Sequence, residues 1–507
     1  MDPAKSFDPD AAARLTVRQK TGLWAAPLLA LALQAVPLPM GLVDAAGGAE
    51  AARAAWIVLS LAVLMAGWWV SEAIPIPVTS LLPLVVLPFF GVMGMAQAAA
   101  PYMHPVVVLL LGGFILAKSI ERWNLHRRIA LAIVGRGGVG PSALIGGFMA
   151  AAALLSMWIS NTATAIMMMS IALSVAAALS GPDRAASPFT LALLLGIAWA
   201  CSIGGLGTLV GTPTNLIVAG YLNEAAGLSI GFSDWLIVGA PTVAVMVPLA
   251  WWVLTRVAFR LSHSEVGAAR SVILAQREAL GPISAPEVRT ATVFGLVAAL
   301  WVFRKPLVQL EMFGAAPFAG VSDALIAVFG VILCFLVPAG DKRAPGGRLL
   351  DWPTAQSIPW GVLLLFGGGM SLAGAITQTG LGTWAGGELT SLAALPIWLI
   401  VAGLTGFVIF ATEVTSNIAT ASALMPVLGA TALATGLPIE VLAVPLALSA
   451  SCAFMLPMAT GPNAVVFATG SVTLPVMARA GLALNLAAIP VITALSLLLA
   501  ERAFGVL

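Results

Sequence analysis

Two short polar stretches interrupt an otherwise apolar chain: Ser160-Asn161-Thr162-Ala163-Thr164 and Ser416-Asn417-Ile418-Ala419-Thr420. Their hydroxyls and carboxamides can offer neutral oxygens to a cation and N–H or O–H donors to an anion. Each is followed by a second polar break, Gly211-Thr212-Pro213-Thr214-Asn215 and Thr460-Gly461-Pro462-Asn463-Ala464, with Asn161 and Asn215 54 residues apart and Asn417 and Asn463 46 apart. Interrupted apolar segments at matching places in two halves of a chain are the sequence mark of a binding site at the midplane of a secondary transporter.

A break at membrane depth survives only where protein buries it or water reaches it. It frees carbonyls that can coordinate a cation and amide groups that can hold an anion, and a half-helix N-terminus adds partial positive charge. Gly211, Pro213, Gly461 and Pro462 supply the backbone freedom and the missing donors that end helices there. Such a site can bind a dianion without Lys or Arg, provided cations sit beside it. Glu413 lies three residues before Ser416, where an unpartnered carboxylate costs several kcal/mol. It is expected to support a cation site next to the tip or to carry a proton. Met167, Met168 and Met169 read as packing, and Trp158 as packing or cavity wall. His104, His126 and His263 fall near membrane surfaces, and Cys201, Cys334 and Cys452 read as small hydrophobes.

The elements that must position these breaks are membrane helices. Of 507 residues 60% are hydrophobic and 9% charged, with mean hydropathy +1.04, against roughly 25% charged in soluble domains. A crossing needs about 20 apolar residues. Spans are expected near 22–41, 54–70, 78–95, 104–120, 188–223 (broken) and 236–258, then near 290–303, 319–338, 358–378, 440–470 (broken) and 478–504. Longer apolar regions at 142–180 and 393–430 are centred on the two Ser-Asn tips.

The two halves match in order and spacing. Leu109–Phe114 resembles Leu364–Gly369, with Gly112 to Ser160 48 residues and Gly367 to Ser416 49. If 142–180 and 393–430 are re-entrant hairpins and the N-terminus is cytoplasmic, all but Arg53, Arg304, Lys305 and Arg502 of the 23 basic residues face the cytoplasm, as the positive-inside rule requires. Counting each region as one crossing moves Arg256–Arg289 outside and erases the bias. The expected fold is therefore all-α and polytopic, with eleven transmembrane helices and two re-entrant hairpins in inverted repeats. The expected order is a cytoplasmic tail (1–21), an extra first helix and external loop (22–53), a first repeat (54–258), a cytoplasmic linker with an amphipathic helix (259–289) and a second repeat (290–507).

The doubled Ser-Asn-Thr-type tip, each paired with a Thr-Pro or Gly-Pro-Asn break, resembles the divalent anion:sodium symporter family, the INDY-like sodium–dicarboxylate and sodium–citrate carriers. The resemblance runs from about residue 20 to the end. It implies a homodimer in the cell inner (plasma) membrane whose transport domain moves elevator-fashion against a scaffold domain. It implies no cofactor, with Na⁺ as coupling ion. By position, Ser160, Asn161, Thr162, Thr212, Ser416, Asn417, Ile418, Thr460 and Gly461 would meet substrate. One Na⁺ site is implied at Ser156, Ser160, Asn161 and the Gly211 backbone, another at Thr412, Thr415, Asn417 and the Ala459 backbone. Ile418 departs from the pattern: dicarboxylate carriers have Thr there, and an aliphatic residue occurs in citrate-preferring relatives.

The partners so implied are a small di- or tricarboxylate, Na⁺, lipid and a second copy, and no nucleic acid. A sodium-independent exchanger, a sulfate carrier and an arsenite-type permease remain rival readings. A channel would need a continuous polar path, which two opposed hairpins interrupt. An enzyme would need a nucleophile with its base, or a metal cluster; Ser160 has no His or Lys near it in sequence, and no HExxH appears.

Overall fold

The computed structural model describes residues 15–138, 140–180, 187–225, 227–261, 267–311, 315–341, 346–387 and 395–504. Most of the expected tail, together with Arg184, His263, Lys342 and Arg343, lies outside them. The described residues are almost wholly helical. Helices α1 (Val17–Ala35), α2 (Ala49–Ser71), α3 (Pro105–Arg122), α4 (Pro141–Ser156), α5 (Asn161–Ser180), α6 (Pro188–Gly205), α7 (Pro213–Ala225) and α8 (Phe232–Trp252) make the first half. Helices α9 (Ala285–Val302), α10 (Asp323–Leu336), α11 (Trp360–Gln378), α12 (Ile397–Val414), α13 (Asn417–Thr435), α14 (Glu440–Ala450), α15 (Gly461–Ala468) and α16 (Leu474–Phe504) make the second.

Local sequence sets the ends. Thr16 and Ser284 open α1 and α9 with capping boxes through Gln19 and Glu287, and Ser187 caps α6 with Pro188 at its first position. Between α1 and the short helix Met40–Ala46 the axis turns by 85°; Pro37 and Pro39 stand at that corner. By length and apolarity alone, nine helices among the described residues can cross a membrane, or ten if that bent pair is one span. Two of the nine, Asn161–Ala178 and Ile397–Val414, fall in the regions expected as hairpins. Seven of the eleven expected crossings thus meet the length test, the bent pair would be an eighth, and the other three fail it for a physical reason. The apolar helices Ile76–Phe89, Asp323–Leu336 and Glu440–Ala450 are short, and the first carries Pro77, Pro83 and Pro88.

At both Ser-Asn tips the chain turns back. Met149 of α4 lies against Gly196 of α6, and Ala153 against Gly204, so α4 runs parallel to α6. Helix α5 packs on α6 as well, although α6 ends at Gly205, so α5 retraces the path of α4. In the second half, α12 and α13 both pack on α14. The halves also interlock: α5 packs on α15, and α7 on α13. The expected linker contains a helix, Gly267–Ala279, which buries Ile273 and packs on α5 and on the helix Leu125–Val134. Two basic residues assigned to the outer side are paired, Arg304 with Asp323 at 2.8 Å and Lys305 with Asp234.

Candidate functional site

Helices α5, α7, α13 and α15 begin at the four polar breaks, and their first residues, Asn161, Pro213, Asn417 and Gly461, line one cavity of about 460 Å³. Ser160, Thr162, Gly211, Thr212, Ser416, Ile418, Ala459 and Thr460 line it too, so every expected substrate contact faces the same space. The first amides of a helix have no acceptor within it, and the aligned peptide dipoles place partial positive charge at that end. Four such ends around one cavity are an arrangement whose electrostatics suit an anion. Conversely, α4, α6, α12 and α14 end near the same breaks, and a helix C-terminus presents free carbonyls to cations.

The breaks are built to stay broken. Asn215 Nδ2 donates to the carbonyls of Gly205 (3.0 Å), Leu206 (3.4 Å) and Thr208 (2.8 Å), and Asn463 Nδ2 to those of Ala453 (3.0 Å) and Leu456 (3.1 Å). Trp235 Nε1 donates to Leu206 at 3.0 Å, and the Thr208 hydroxyl to the Met157 carbonyl, tying the first break to the first tip. Tips and breaks of opposite halves touch. The Thr214 and Ser451 hydroxyls are 3.0 Å apart. Gly461 lies so close to Thr162 that a Cβ there would stand 2.0 Å from its Oγ1.

Glu413 is buried, and its carboxylate is fully engaged. Oε1 accepts from the amides of Phe454 (2.7 Å) and Met455 (2.9 Å) and from Asn485 Nδ2 (2.7 Å); Oε2 accepts from the Leu456 amide (2.9 Å). It therefore pins the second break just ahead of Ala459. Both carboxyl oxygens thus have N–H donors aimed at them.

The oxygens expected to hold cations form two groups. Around the first tip, Asn161 Oδ1 and Ser202 Oγ are buried and have no hydrogen-bond partner, and buried Ser156 Oγ has only the Cys201 thiol beside it. The Asn161 carboxamide lies against Gly205, close to the Gly211 carbonyl. Buried oxygens without donors fit a hard cation. At the second tip, the Thr412 hydroxyl is 2.6 Å from Asn417 Oδ1 and 3.0 Å from the Ala450 carbonyl. Its one proton cannot fully serve two acceptors, so this trio also fits Na⁺. Thr415 is turned to its own chain, donating to Ala411 at 2.8 Å beside the Thr420 hydroxyl. Ser202, Gly205 and Ala450 were not singled out by sequence, because each sits inside a uniformly apolar helix. The structural duties of Asn215 and Asn463 were equally hidden.

Trp158 lines the cavity and also packs. Its ring stacks 5.6 Å from Phe232, which stacks 5.0 Å from Trp301, and it meets Phe294 edge-on at 5.2 Å. Met168 and Met169 are core residues. No cluster of three His, Cys, Asp or Glu able to hold a metal occurs among the described residues.

Broken helices, turned-back helix pairs and a cavity lined by neutral polar tips define a polytopic membrane transporter. The family model for the sodium:sulfate symporter transmembrane region matches residues 24–501, and the chain belongs to that family. It is 40% identical over 455 residues to a sodium-dependent dicarboxylate transporter of Staphylococcus saprophyticus, covering 89% of this chain and 87% of that one. A Staphylococcus aureus transporter of the same description is 40% identical over 435 residues, 85% and 83% of the two chains. Among solved structures, the Alcanivorax borkumensis YdaH transporter shares the fold with TM-score 0.57 at 15% identity, covering 83% of this chain and 90% of that one.

Proposed function

We propose that the protein is a secondary active transporter that moves small di- or tricarboxylates of the succinate, malate, fumarate or citrate class across the inner membrane, coupled to Na⁺. The observation that carries this reading is the meeting of four helix N-termini in one cavity whose tips bear no charged side chain. Asn161, Thr162, Thr212, Asn417, Thr460 and the first amides of each helix hold the carboxylates. Two cations in the flanking oxygen groups, Ser156–Asn161 and Thr412–Asn417, offset the dianion's charge. Binding is then cooperative by electrostatics: neither a bare dianion nor two bare cations would be well held in a low-dielectric site. The names of the two staphylococcal relatives support both the substrate class and the ion.

In this reading the chain makes eleven crossings and two hairpins, in inverted repeats at 54–258 and 290–507. The N-terminus is cytoplasmic, and the protein is a homodimer. Helices α4–α8 and α12–α16 form the body that carries substrate, and α2, α3 and α9–α11 the wall it slides against. Ile418 lines the cavity, where its apolar bulk supports a preference for longer acids. The test is uptake of labelled succinate into proteoliposomes, with an inward Na⁺ gradient or choline in its place, and with or without internal succinate. Uptake that needs Na⁺ and no internal substrate is the expected result. Uptake indifferent to Na⁺ that requires internal dicarboxylate would replace symport by exchange. No succinate uptake would move citrate and sulfate to the front.

A further inference from the structure

The hairpin tips are uncharged, but the cavity wall is not. Among the lining residues only Lys118 and Glu121 carry charge. Both lie on the last turn of α3 and both are largely covered, with side chains 25% and 21% exposed. Lys118 Nζ is 2.7 Å from Glu121 Oε2. One turn away, Arg122 is occupied by Asp351 at 2.7 Å. A dianion that uses this opening therefore meets one ammonium, and that ammonium is held by a carboxylate of its own helix.

The pair sits on a helix that packs chiefly on α10 and meets the tip-bearing body along α7 and at Val210 of the first break. Helix α3 is locked to α10: a Cβ on Gly112 would stand 2.6 Å from Ala327, and one on Gly330 3.2 Å from Leu116. The tips are instead locked to α6 and α14. Whatever moves the tips relative to α3 changes their distance to Lys118, while Lys118 and Glu121 stay together.

We infer that Lys118 is a substrate-docking residue at the cytoplasmic opening, and that Glu121 sets its strength by masking it. The inference rests on the proposed carboxylate transport and on the sliding of the tip-bearing body. In the inward-open arrangement Lys118 attracts the incoming or departing dianion. With the tips carried outward it is out of range, so it tunes affinity on one face only. The pair is net neutral. Its two members oppose each other at the substrate, which makes the charge logic separable from packing.

The experiment uses the full chain and labelled succinate at saturating Na⁺, with concentration dependence read separately in inside-out vesicles (cytoplasmic face) and right-side-out vesicles (outer face). Wild-type uptake is the control; its absence would refute the carboxylate reading and this inference with it. Half-buried charge pairs near a surface act on the order of 1 kcal/mol, which is about 3- to 10-fold in half-saturation. Lys118→Gln is expected to raise the cytoplasmic half-saturation by about that factor, and Glu121→Gln to lower it by about as much. The double variant Lys118→Gln/Glu121→Gln, again net neutral, is expected to return to within about twofold of wild type. Outer-face values should not move. A double variant worse than either single one would mean that the pair is structural. Unchanged cytoplasmic affinity in both single variants, or equal shifts on the two faces, would overturn the inference while leaving carboxylate transport standing.

Discussion

Glu413→Gln is the substitution whose consequence can be worked furthest from the structure. The wild-type carboxylate takes four hydrogen bonds, three from consecutive amides of the second break and one from Asn485. Glutamine keeps the shape and one acceptor oxygen. Placed at the Oε1 position, that oxygen retains three bonds, now without charge assistance, and the new NH₂ group faces the Leu456 amide. Halving three charge-assisted bonds and leaving the Leu456 amide and the new NH₂ group unpaired against each other costs about 4 kcal/mol or more in total. The cost falls on residues 454–456, which lead into Ala459 and Thr460 at the cavity. If a third of it appears at the cation step, half-saturation by Na⁺ weakens about tenfold, since 1.4 kcal/mol is a factor of ten. The assay is the Na⁺ activation curve of succinate uptake at fixed succinate, with thermal unfolding of the purified protein measured in parallel. Glu413→Gln is expected to raise the half-saturating Na⁺ by about tenfold and to lower the unfolding midpoint. Asn485→Ala, which removes one donor and leaves three, should show the same shifts at smaller size. A Glu413→Gln protein with the wild-type Na⁺ curve would refute the clamp.

Asn161→Ala and Asn417→Ala each remove a carboxamide that faces the cavity, and each should abolish uptake while the protein still purifies as a folded species; full-rate uptake by either would refute the site assignment. Ile418→Thr returns a hydroxyl to the wall and should shift preference from six-carbon toward four-carbon acids in competition assays, whereas an unchanged profile would mean that this side chain does not meet substrate. Gly205→Ala would place a Cβ 2.9 Å from the Asn161 carboxamide and 3.2 Å from the Gly211 carbonyl. It should weaken Na⁺ activation more than it lowers thermal stability, and the reverse order would make Gly205 a packing residue only.

Much of this was legible because membrane proteins have few ways to use polar residues. An Asn or Ser-Thr run inside 20 apolar residues stands out, and its repetition at matched spacing located the four breaks that line the cavity. The helical, polytopic class followed from composition. What escaped was everything that depends on which apolar helix lies beside which. Ser202 and Gly205 sit in a helix buried along almost its whole length, and no sequence period marks the face that meets Asn161. Ala450 acts through its carbonyl, which side-chain identity does not report. Glu413 was conspicuous, yet its partners, the amides of 454–456 and Asn485, lie 41 to 72 residues away. Lys118 and Glu121 stand at the end of a span, where charge is ordinary, and only the fold sets them in the cavity wall.

The two halves solve the same problem with different chemistry, and the difference has consequences. At the first break one carboxamide, Asn215, collects three carbonyls, with the Trp235 indole and the Thr208 hydroxyl bonding close by. Every group there is neutral. At the second break Asn463 collects two carbonyls, and the amides are gathered by the Glu413 carboxylate. The position of Glu413 in the first half is taken by Met157, which offers only its backbone carbonyl. A fixed negative charge therefore lies behind the second oxygen group and not behind the first. Such a charge favours a cation nearby and opposes an anion, so the second group should hold its Na⁺ more tightly and fill before the dianion arrives. The first group, whose oxygens around Asn161 and Ser202 are uncharged and unpartnered, should depend more on substrate for its occupancy. Substitutions at Ser156 should then change the apparent Na⁺ affinity chiefly at low succinate, and substitutions at Thr412 at all succinate concentrations. Equal dependence on succinate for both would show that the carboxylate behind the second break does not reach the ions.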